Sequence, residues 1–307
     1  MEGHGVFRNS FDLNIIEIIN ATKVPFKGLI LIASDIKIKN EIIELCSKAG
    51  YLNMIHVSEL YYIINDFRVK RYMEYFEKNR PLFKDIEIET INRCNGICGF
   101  CPVNKNEKQR PYHKMTEELF YSIIDQLAEI SYNRQVALFS NNELFIDDRI
   151  ICFAEYTRKK LPDAWINLYT NGTLLTEEIK RIERIAKEEN WDEKTIIATI
   201  KADAIRSSRA GNAPNSKAYA TVDNPCILPW VQMTVRPDGK VSFCCCDALG
   251  QITLGDLQKE SLTDVWHGSI YSKVREIIHT GRECMELCKY CNFIQMIRPV
   301  FVEEMNL

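Results

Sequence analysis

Residues 85–101 read DIEIETINRCNGICGFC, and this stretch decides how the rest of the sequence is interpreted. Alternating apolar residues over Ile86–Ile91 predict a β-strand that ends just before a loop containing three cysteines. Cys94, Cys98 and Cys101 are spaced so that this loop can place three thiolates around one face of an iron–sulfur cube. Three ligands leave one iron open, and an open iron can bind a substrate or cofactor directly, whereas a fully ligated cluster transfers electrons.

The sequence after this loop alternates between predicted strands and helices, which is the pattern of a parallel sheet or a barrel. Thr116 and the two glutamates after it are typical of a helix start, and this helix is predicted to end near Ile130. The next elements are predicted as strand Gln135–Ser140, helix Ile146–Lys160, strand Trp165–Thr170, helix Thr176–Glu189 and strand Lys194–Lys201. Beyond a loop-rich stretch, the predictions are a β-hairpin of Val231–Val235 and Lys240–Cys244, then short helices at Leu262–His267 and Tyr271–Thr280.

The chain contains twelve cysteines, which in a reducing compartment indicate metal ligands rather than disulfides. Ten of them lie in two groups, within residues 94–101 and 226–291. Cys46 and Cys152 lie singly in helix-like stretches, and we interpret both as buried thiols.

Composition excludes several function classes. The 307 residues carry a formal net charge of −3 and no long basic run, so no nucleic-acid partner is expected. The N-terminus does not resemble a signal peptide, and the longest apolar run, near residues 28–33, is too short to cross a bilayer. We therefore expect a cytoplasmic protein without a membrane partner.

The spacing Cys94-x3-Cys98-x2-Cys101 resembles the signature of the radical S-adenosylmethionine (SAM) superfamily. In that family the aromatic residue before the third cysteine lies near the adenine of SAM, and Phe100 occupies this place. The resemblance implies an α/β fold with a partial (β/α) barrel, and a [4Fe–4S] cluster held by the three cysteines.

Two further stretches resemble SAM-contacting segments of the family. At the end of the second strand the family carries Gly-Gly-Glu, which holds the SAM amino group; here Ser140-Asn-Asn-Glu143 keeps the acid and lacks both glycines. The resemblance implies that Glu143 contacts the amine. The third strand ends in Tyr169-Thr170-Asn171-Gly172, which implies that Thr170 and Asn171 lie near the ribose.

The second cysteine group resembles the auxiliary-cluster region of the SPASM/twitch subgroup, and in particular that of 2-deoxy-scyllo-inosamine dehydrogenase-like enzymes. The resemblance includes Gly239-x4-Cys244 and the closing Cys288-Lys-Tyr-Cys291. It implies a second [4Fe–4S] cluster with Cys226, Cys244, Cys288 and Cys291 as ligands. Four thiolates saturate such a cluster, so it is expected to relay or accept electrons rather than bind a second SAM.

Three cysteines remain beyond these four implied ligands. Cys245 and Cys246 follow Cys244 on the predicted strand, where side chains alternate between faces, so one of them is expected to point away from the cluster. The alternatives are a packed thiol, another ligand, or, for Cys245, a hydrogen-atom donor to a substrate radical, as in related epimerases. Cys284 is an alternative ligand in place of Cys226 or Cys244.

Arg209 lies seventeen residues before Cys226, where related twitch enzymes carry an Arg-Gly loop that faces the substrate cavity. The resemblance implies that its guanidinium anchors a hydroxyl, carboxylate or phosphate of the substrate. The other interpretation is an ordinary solvated arginine.

We predict three domains: a small α/β unit over residues 1–84, the radical SAM core over 85–212 and the auxiliary iron–sulfur region over 213–307. The first unit has a βαβ pattern, with apolar runs at Gly28–Ser34 and Leu52–Val57 around a helix at Lys37–Ala49; a helix over about Val57–Lys78 follows. The core has no room for the strand and helix that the family usually places before Arg209, so the barrel is abbreviated. One hypothesis is that the first unit covers the exposed sheet edge.

The resemblance implies an oxidoreductase in which a 5′-deoxyadenosyl radical abstracts hydrogen from an alcohol of a sugar or aminocyclitol and the auxiliary cluster accepts the second electron. It also implies an external electron donor such as flavodoxin or ferredoxin. Epimerisation and peptide modification remain open within the same class.

The alternative of another class is a non-catalytic iron–sulfur or zinc-binding protein. A zinc site needs a fourth ligand beside the first three cysteines, which Cys152 or His113 could supply, and the second group could form a zinc ribbon.

Overall fold

The computed structural model describes residues 30–32, 39–48, 50, 54–103, 110–174, 195–199, 209–213 and 226–293. The chain divides into two compact units, residues 1–68 and 69–307. This division falls inside a long helix, sixteen residues before the domain boundary that we predict at 84/85. The predicted helix Thr176–Glu189 lies outside the described residues.

The smaller unit contains the predicted βαβ arrangement. Strands β1 (Ile30–Ile32) and β2 (Met54–His56) pair in parallel, and helix α1 (Lys39–Lys48) connects them. Helix α2 (Val57–Asn79) follows directly and continues into the larger unit.

The larger unit is built on a seven-stranded sheet with the order β6-β5-β4-β3-β7-β8-β9. Its parallel part consists of β3 (Asp85–Ile88), β4 (Gln135–Ala137), β5 (Trp165–Thr170), β6 (Thr195–Thr199) and β7 (Gln232–Val235). The antiparallel part adds β8 (Lys240–Ser242) and β9 (Thr253–Asp256). The strands that the structure describes form an open sheet, which agrees with the expected partial barrel.

Strand β3 lies in the middle of the sheet, between β4 and β7. Its pairing with β7 runs from Asp85 opposite Gln232 to Ile88 opposite Val235. The predicted auxiliary region thus shares one sheet with the predicted core. Parallel strands end at the same edge, so the residues after β3, β4 and β5 lie near one another.

Helices α3 (Glu117–Glu129) and α4 (Ile150–Lys160) follow β3 and β4. Thr116 caps α3 as predicted, and its Oγ1 accepts a hydrogen bond from the Leu119 amide at 3.2 Å, which typically stabilises a helix by about 1 kcal/mol. Phe120 of α3 and Phe153 of α4 stack with ring centroids 4.0 Å apart, and both are fully buried. Burying one such side chain contributes roughly 1.5–3 kcal/mol.

The C-terminal part contains α5 (Leu228–Val231), α6 (Leu262–His267) and α7 (Ser269–Thr280). The sequence did not predict α5 or β9. In β9, a Cβ atom on Gly255 would lie 2.5 Å from Val265 Cγ1, so the missing side chain lets α6 pack closely on the strand. Among the described residues, every helix is too short or too polar to cross a bilayer.

Strand β8 ends at Ser242, two residues earlier than predicted. The next residues form a turn in which the Asp247 amide donates to the Cys244 carbonyl at 3.0 Å. Side chains in this turn do not alternate between two faces, so the strand geometry that we assumed for Cys245 and Cys246 does not apply here. That one of them points away from the second cluster stays a prediction.

Cys46 is buried as predicted, but Cys152 is exposed. The buried face of α4 is formed by Ile150, Phe153, Ala154, Thr157 and Arg158, and position 152 lies outside this face.

Candidate active site

The first of the three loop cysteines, Cys94, lies six residues after the end of β3. The Gly96 amide donates to Cys94 Sγ at 3.2 Å, and the Cys101 amide donates to the Cys98 carbonyl at 3.2 Å. A Cβ atom on Gly96 would lie 3.2 Å from Cys94 Sγ and 3.6 Å from Cys98 Sγ. A glycine at this position therefore leaves space for two thiols on the same side of the loop.

Burial raises the pKa of the Cys94 thiol to about 11, so without a cation this thiol is protonated at neutral pH. Thiolate ligands are deprotonated when a metal or cluster binds. Three closely spaced thiols fit the three-cysteine attachment of a cluster. Among the residues that the structure describes, no group of three or more His, Cys, Asp or Glu side chains is placed to hold a single metal ion.

The segment after β5 lies beside this loop. Asn171 Nδ2 donates to Asn95 Oδ1 at 2.8 Å and lies 4.0 Å from Cys94 Sγ. Asn95 Nδ2 in turn donates to Thr173 Oγ1 at 2.9 Å. The structure thus places Asn171, predicted to contact the cofactor, next to the first cysteine.

Glu143 joins the segments after β4 and β5. Its carboxylate accepts hydrogen bonds from Thr170 Oγ1 and the Asn171 amide, both at 2.7 Å, and from the Phe145 amide at 3.2 Å. Its own amide donates to the Arg93 carbonyl at 3.0 Å, directly before Cys94. A carboxylate has about four acceptor positions, so Glu143 orders this corner of the site and keeps acceptor capacity for an ammonium group.

The structure therefore brings Glu143, Thr170 and Asn171 together beside the cysteine loop. Phe100 is also buried there, directly before Cys101. That these residues contact SAM stays a prediction.

The four cysteines predicted to hold the second cluster are buried, with between 6% and 7% of each side chain exposed. A fifth thiol lies among them, because the thiols of Cys244, Cys245 and Cys291 donate hydrogen bonds to the Cys246 sulfur. These bonds lower the pKa of Cys246 and raise the pKa of Cys244 and Cys291. Cys284 is exposed.

Burial raises the pKa of Cys288 to about 12, and it also raises the pKa of Cys226. A set of buried thiols fits the attachment of an iron–sulfur cluster, since its positive irons stabilise thiolates that the protein alone disfavours.

A polar group of side chains lies at the turn that carries Cys245. Ser140 Oγ donates to Glu87 Oε2 at 2.7 Å, and Gln232 Nε2 donates to Glu87 Oε1 at 3.0 Å. Burial raises the pKa of Glu87 to about 7, although the hydrogen bond from Ser140 and the charge of Arg209 act in the opposite direction. Glu87 is thus partly ionised at neutral pH.

Arg209 belongs to this polar group, so it is not an ordinary solvated arginine. Its Nη2 donates to Asn141 Oδ1. Burial lowers the pKa of Arg209, but the nearby Cys246, Cys245 and Glu87 groups raise it by more, and the guanidinium stays charged.

The backbone that presents Arg209 is left-handed. Arg209 and Ala210 have φ values of 50° and 53°, and Gly211 follows with 80°. A non-glycine residue in this region costs roughly 1–2 kcal/mol, so packing around the turn must hold it in place.

Glu87, Asn141 and Gln232 are residues of this polar group that sequence reasoning missed, whereas Cys246 was considered there as an alternative ligand. One signal was available for Glu87, because a carboxylate between Ile86 and Ile88 in a central strand is unusual for a sheet with both faces covered. Asn141 stands where the resemblance implies a glycine.

Comparisons with known proteins agree with this arrangement. Residues 88–193 match the sequence model of the Radical SAM superfamily, and residues 226–292 match that of SPASM, an iron–sulfur cluster-binding domain. The chain is 24% identical over 240 residues to an S-adenosyl-L-methionine-dependent 2-deoxy-scyllo-inosamine dehydrogenase from Niallia circulans, with 70% of this chain and 95% of that relative covered.

Two solved structures show a similar fold. The crystal structure of BtrN in complex with AdoMet and 2-DOIA has a TM-score of 0.59 and 22% identity, covering 70% of this chain and 95% of that chain. The structure of SeMet BtrN in an open conformation has a TM-score of 0.54 and 23% identity, with the same coverage. The predicted fold class is confirmed.

Proposed function

Because this chain is a radical SAM enzyme that carries a SPASM iron–sulfur cluster-binding domain, we propose that it oxidises an alcohol of a sugar or aminocyclitol to a carbonyl compound. The observation that carries the proposal is the polar group around Arg209 and Glu87. This group lies beside the second thiol site, formed by the buried Cys226, Cys244, Cys246, Cys288 and Cys291, and it includes Ser140 and Asn141 of the loop after β4. The similarity to a 2-deoxy-scyllo-inosamine dehydrogenase supports this class of substrate.

The cofactors are SAM and [4Fe–4S] clusters. The residues present fit them, with Cys94, Cys98 and Cys101 for the SAM-binding cluster and Cys226, Cys244, Cys288 and Cys291 for the auxiliary one. When bound, these groups supply a 5′-deoxyadenosyl radical that abstracts hydrogen from a substrate C–H and an acceptor for one electron.

Oxidation of the alcohol removes one hydrogen atom from carbon, one proton from oxygen and one electron. The side chains of this chain must therefore bind the hydroxyl group and accept its proton. Arg209 is suited to the first task, because a charged guanidinium in a partly buried site stabilises negative charge that develops on the alcohol oxygen.

Glu87 is suited to the second task. A carboxylate with a pKa of about 7 is a competent base at neutral pH, and its acid form is also accessible there. Ser140 and Gln232 each donate to one of its oxygens and so fix the plane of the carboxylate. We assign the hydroxyl proton to a Glu87 carboxylate oxygen.

A specific observation favours a second candidate, epimerisation. Glu87 and Arg209 both act electrostatically on the Cys245 thiol, so this thiol lies near the same polar group. In an epimerase Cys245 would return a hydrogen atom to the substrate radical. Cys245→Ala would then abolish product and leave 5′-deoxyadenosine formation intact, whereas a dehydrogenase would keep forming its ketone.

The proposal includes an external one-electron donor of the flavodoxin or ferredoxin type and a cytoplasmic location. The twelve cysteines support the cytoplasmic location, because a reducing compartment keeps them as thiols. The electron donor is required by the proposed reductive cleavage of SAM, which consumes one electron per radical formed.

The decisive experiment is anaerobic reconstitution with iron and sulfide, reduction with dithionite, and incubation with SAM and a panel of aminocyclitols and sugars. We expect about eight irons per chain and about one ketone for each 5′-deoxyadenosine. Arg209→Lys is the matched variant, since it keeps the charge and loses the planar fork. Steady 5′-deoxyadenosine formation without an oxidised product from any member of the panel would overturn the proposal.

A further inference from the structure

Asn141 uses both ends of its side-chain amide. Its Oδ1 accepts a hydrogen bond from Arg209 Nη2, and its Nδ2 donates to the Cys245 carbonyl and to Ser140 Oγ, each at 3.2 Å. The side chain is 5% exposed, so these bonds form away from bulk water. Asn141 is therefore a single small group that contacts both the guanidinium and the turn after β8.

The partners of Asn141 come from distant parts of the chain. Arg209 lies 68 residues later and Cys245 lies 104 residues later. The turn that carries Arg209 also packs on the last cysteine pair, because a Cβ atom on Gly211 would lie 2.9 Å from Tyr290 Cβ. Asn141 thus contacts the Arg209 guanidinium, while Tyr290 packs against Gly211 in the same turn.

We propose that Asn141 is a positioning residue that fixes the Arg209 guanidinium relative to the Cys244–Cys246 turn, so that an alcohol held by Arg209 stays at a constant distance from the second thiol site. This inference rests on the proposed function. A glycine at this position has neither the acceptor for Arg209 nor the donor for Cys245. The Asn141 side chain therefore supplies two hydrogen bonds that a glycine could not, one to Arg209 and one to the Cys245 carbonyl.

The proposal distinguishes two steps of the reaction. Hydrogen abstraction depends on the first cysteine loop, and none of the hydrogen bonds described for Asn141 reaches that loop. Loss of the proton and the second electron depends on the alcohol oxygen held at Arg209. Removing the Asn141 side chain should therefore uncouple the two steps rather than stop both.

The test compares wild type, Asn141→Gly and Asn141→Asp, with Asn142→Gly as the matched control in the same loop. Asn142 Oδ1 accepts only from the Ser140 amide among the bonds described for it, so its loss perturbs the loop without touching Arg209. We expect Asn141→Gly to keep 5′-deoxyadenosine formation within about twofold. Its ketone yield should fall by about tenfold or more, because small displacements of a binding group have large kinetic effects.

Asn141→Asp should retain more ketone than Asn141→Gly, because its carboxylate still accepts from Arg209. The pH profile gives a readout that a merely structural role would not move. Arg209 lowers the pKa of Glu87, so a displaced guanidinium shifts the acidic limb of ketone formation to higher pH. The other groups facing Glu87 are Ser140, Gln232, Asp85 and Cys246, and all four residues are retained in the variants. The pH comparison uses Asn141→Gly, because this substitution adds no charge beside Glu87, whereas Asn141→Asp would raise the pKa of Glu87 by its own charge.

Hydrogen–deuterium exchange on the unloaded protein adds a measurement that is independent of activity. Asn141→Gly should increase exchange in the peptide covering residues 209–213, and Asn142→Gly should not. The inference would be overturned if Asn141→Gly matched wild type in three respects: the ratio of ketone to 5′-deoxyadenosine, the pH of the acidic limb of ketone formation, and deuterium exchange in residues 209–213. If wild type itself forms no ketone, the proposed function fails, and the exchange comparison still decides whether Asn141 holds the Arg209 turn.

Discussion

Gly211 lies against Tyr290 so closely that a Cβ atom on the glycine would stand 2.9 Å from Tyr290 Cβ. Tyr290 lies between Cys288 and Cys291, two of the predicted ligands of the second cluster. The turn that presents Arg209 therefore packs directly on the loop that closes the second thiol site.

Replacing Gly211 with alanine should destabilise the protein and separate these two segments. Its φ of +80° costs a side chain roughly 1–2 kcal/mol, and the contact with Tyr290 adds to this. Thermal unfolding of the unloaded protein measures the effect. Gly99→Ala is the control, because its Cβ would meet no atom within 4 Å; equal melting temperatures for both variants would contradict the prediction.

Glu87→Gln should change stability and turnover in opposite directions above about pH 7. Burial raises the pKa of this carboxyl from 4.5 to about 7, so the folded state binds the proton more tightly than the unfolded state does. Wild type therefore loses stability as pH rises from 4.5 to 7, by at most about 3 kcal/mol, and the glutamine variant does not.

Ketone formation by Glu87→Gln should fall by about a hundredfold or more, because the proton acceptor is gone. Denaturant unfolding at pH 4.5 and pH 8, combined with product analysis, checks both effects. A variant that is no more stable than wild type at pH 8, or that turns over normally, would contradict this assignment of Glu87.

Substituting a cysteine in each group should affect different steps of the reaction. Cys98→Ala is expected to lose about four irons and all 5′-deoxyadenosine formation, because its site lacks a ligand of the SAM-binding cluster. Cys288→Ala should lose a similar amount of iron, keep 5′-deoxyadenosine formation and make no ketone. Iron analysis and electron paramagnetic resonance of the reduced proteins distinguish the two variants. Loss of both 5′-deoxyadenosine and ketone formation in Cys288→Ala would argue against separate roles for the two clusters.

Cys246→Ala tests which thiols hold the second cluster. Cys244 is the ligand implied by the resemblance, so Cys246→Ala should retain about eight irons and Cys244→Ala should lose about half of them. Mössbauer spectroscopy of both variants measures cluster content directly. The reverse outcome would make Cys246 the ligand, in line with its position among three other thiols.

Glu143→Gln should weaken SAM binding by about tenfold or more. The glutamine keeps one acceptor oxygen, but its amide nitrogen would meet at least one of the three donors, which are Thr170 Oγ1 and the backbone amides of Asn171 and Phe145. Each unsatisfied buried group costs about 1–3 kcal/mol. Equilibrium binding of SAM to the reconstituted protein measures the change, and Asp148→Asn, an exposed carboxylate on the same connection, serves as the control.

Local patterns predicted much of this structure. Thr116, the strand Trp165–Thr170 and the helix Leu262–His267 were predicted with the bounds or cap observed, because apolar periodicity and capping act over a few neighbouring residues. The three-cysteine loop was found for the same reason, since its ligands lie within eight residues.

Contacts between distant segments were not predictable in this way. The Asn141 bond to Cys245 joins residues 104 positions apart, and no spacing rule connects them. Strand β9 was missed because Gly255 and Asp256 disfavour a strand locally, while packing against Val265 favours it. The turn at Cys244–Cys246 depends on where β8 ends, which is among the least predictable features of a strand.

The pairing of β7 with β3 has a consequence for how enzymes of this kind diversify. The cysteine-rich C-terminal part is joined to the N-terminal part by backbone hydrogen bonds along a shared central strand, so it is not a detachable module. A chimera that exchanged this part with a relative would have to preserve the register of Asp85 opposite Gln232. New specificities should therefore arise by changes in the loops beyond the strand ends, while the β3–β7 pairing and its register stay the same.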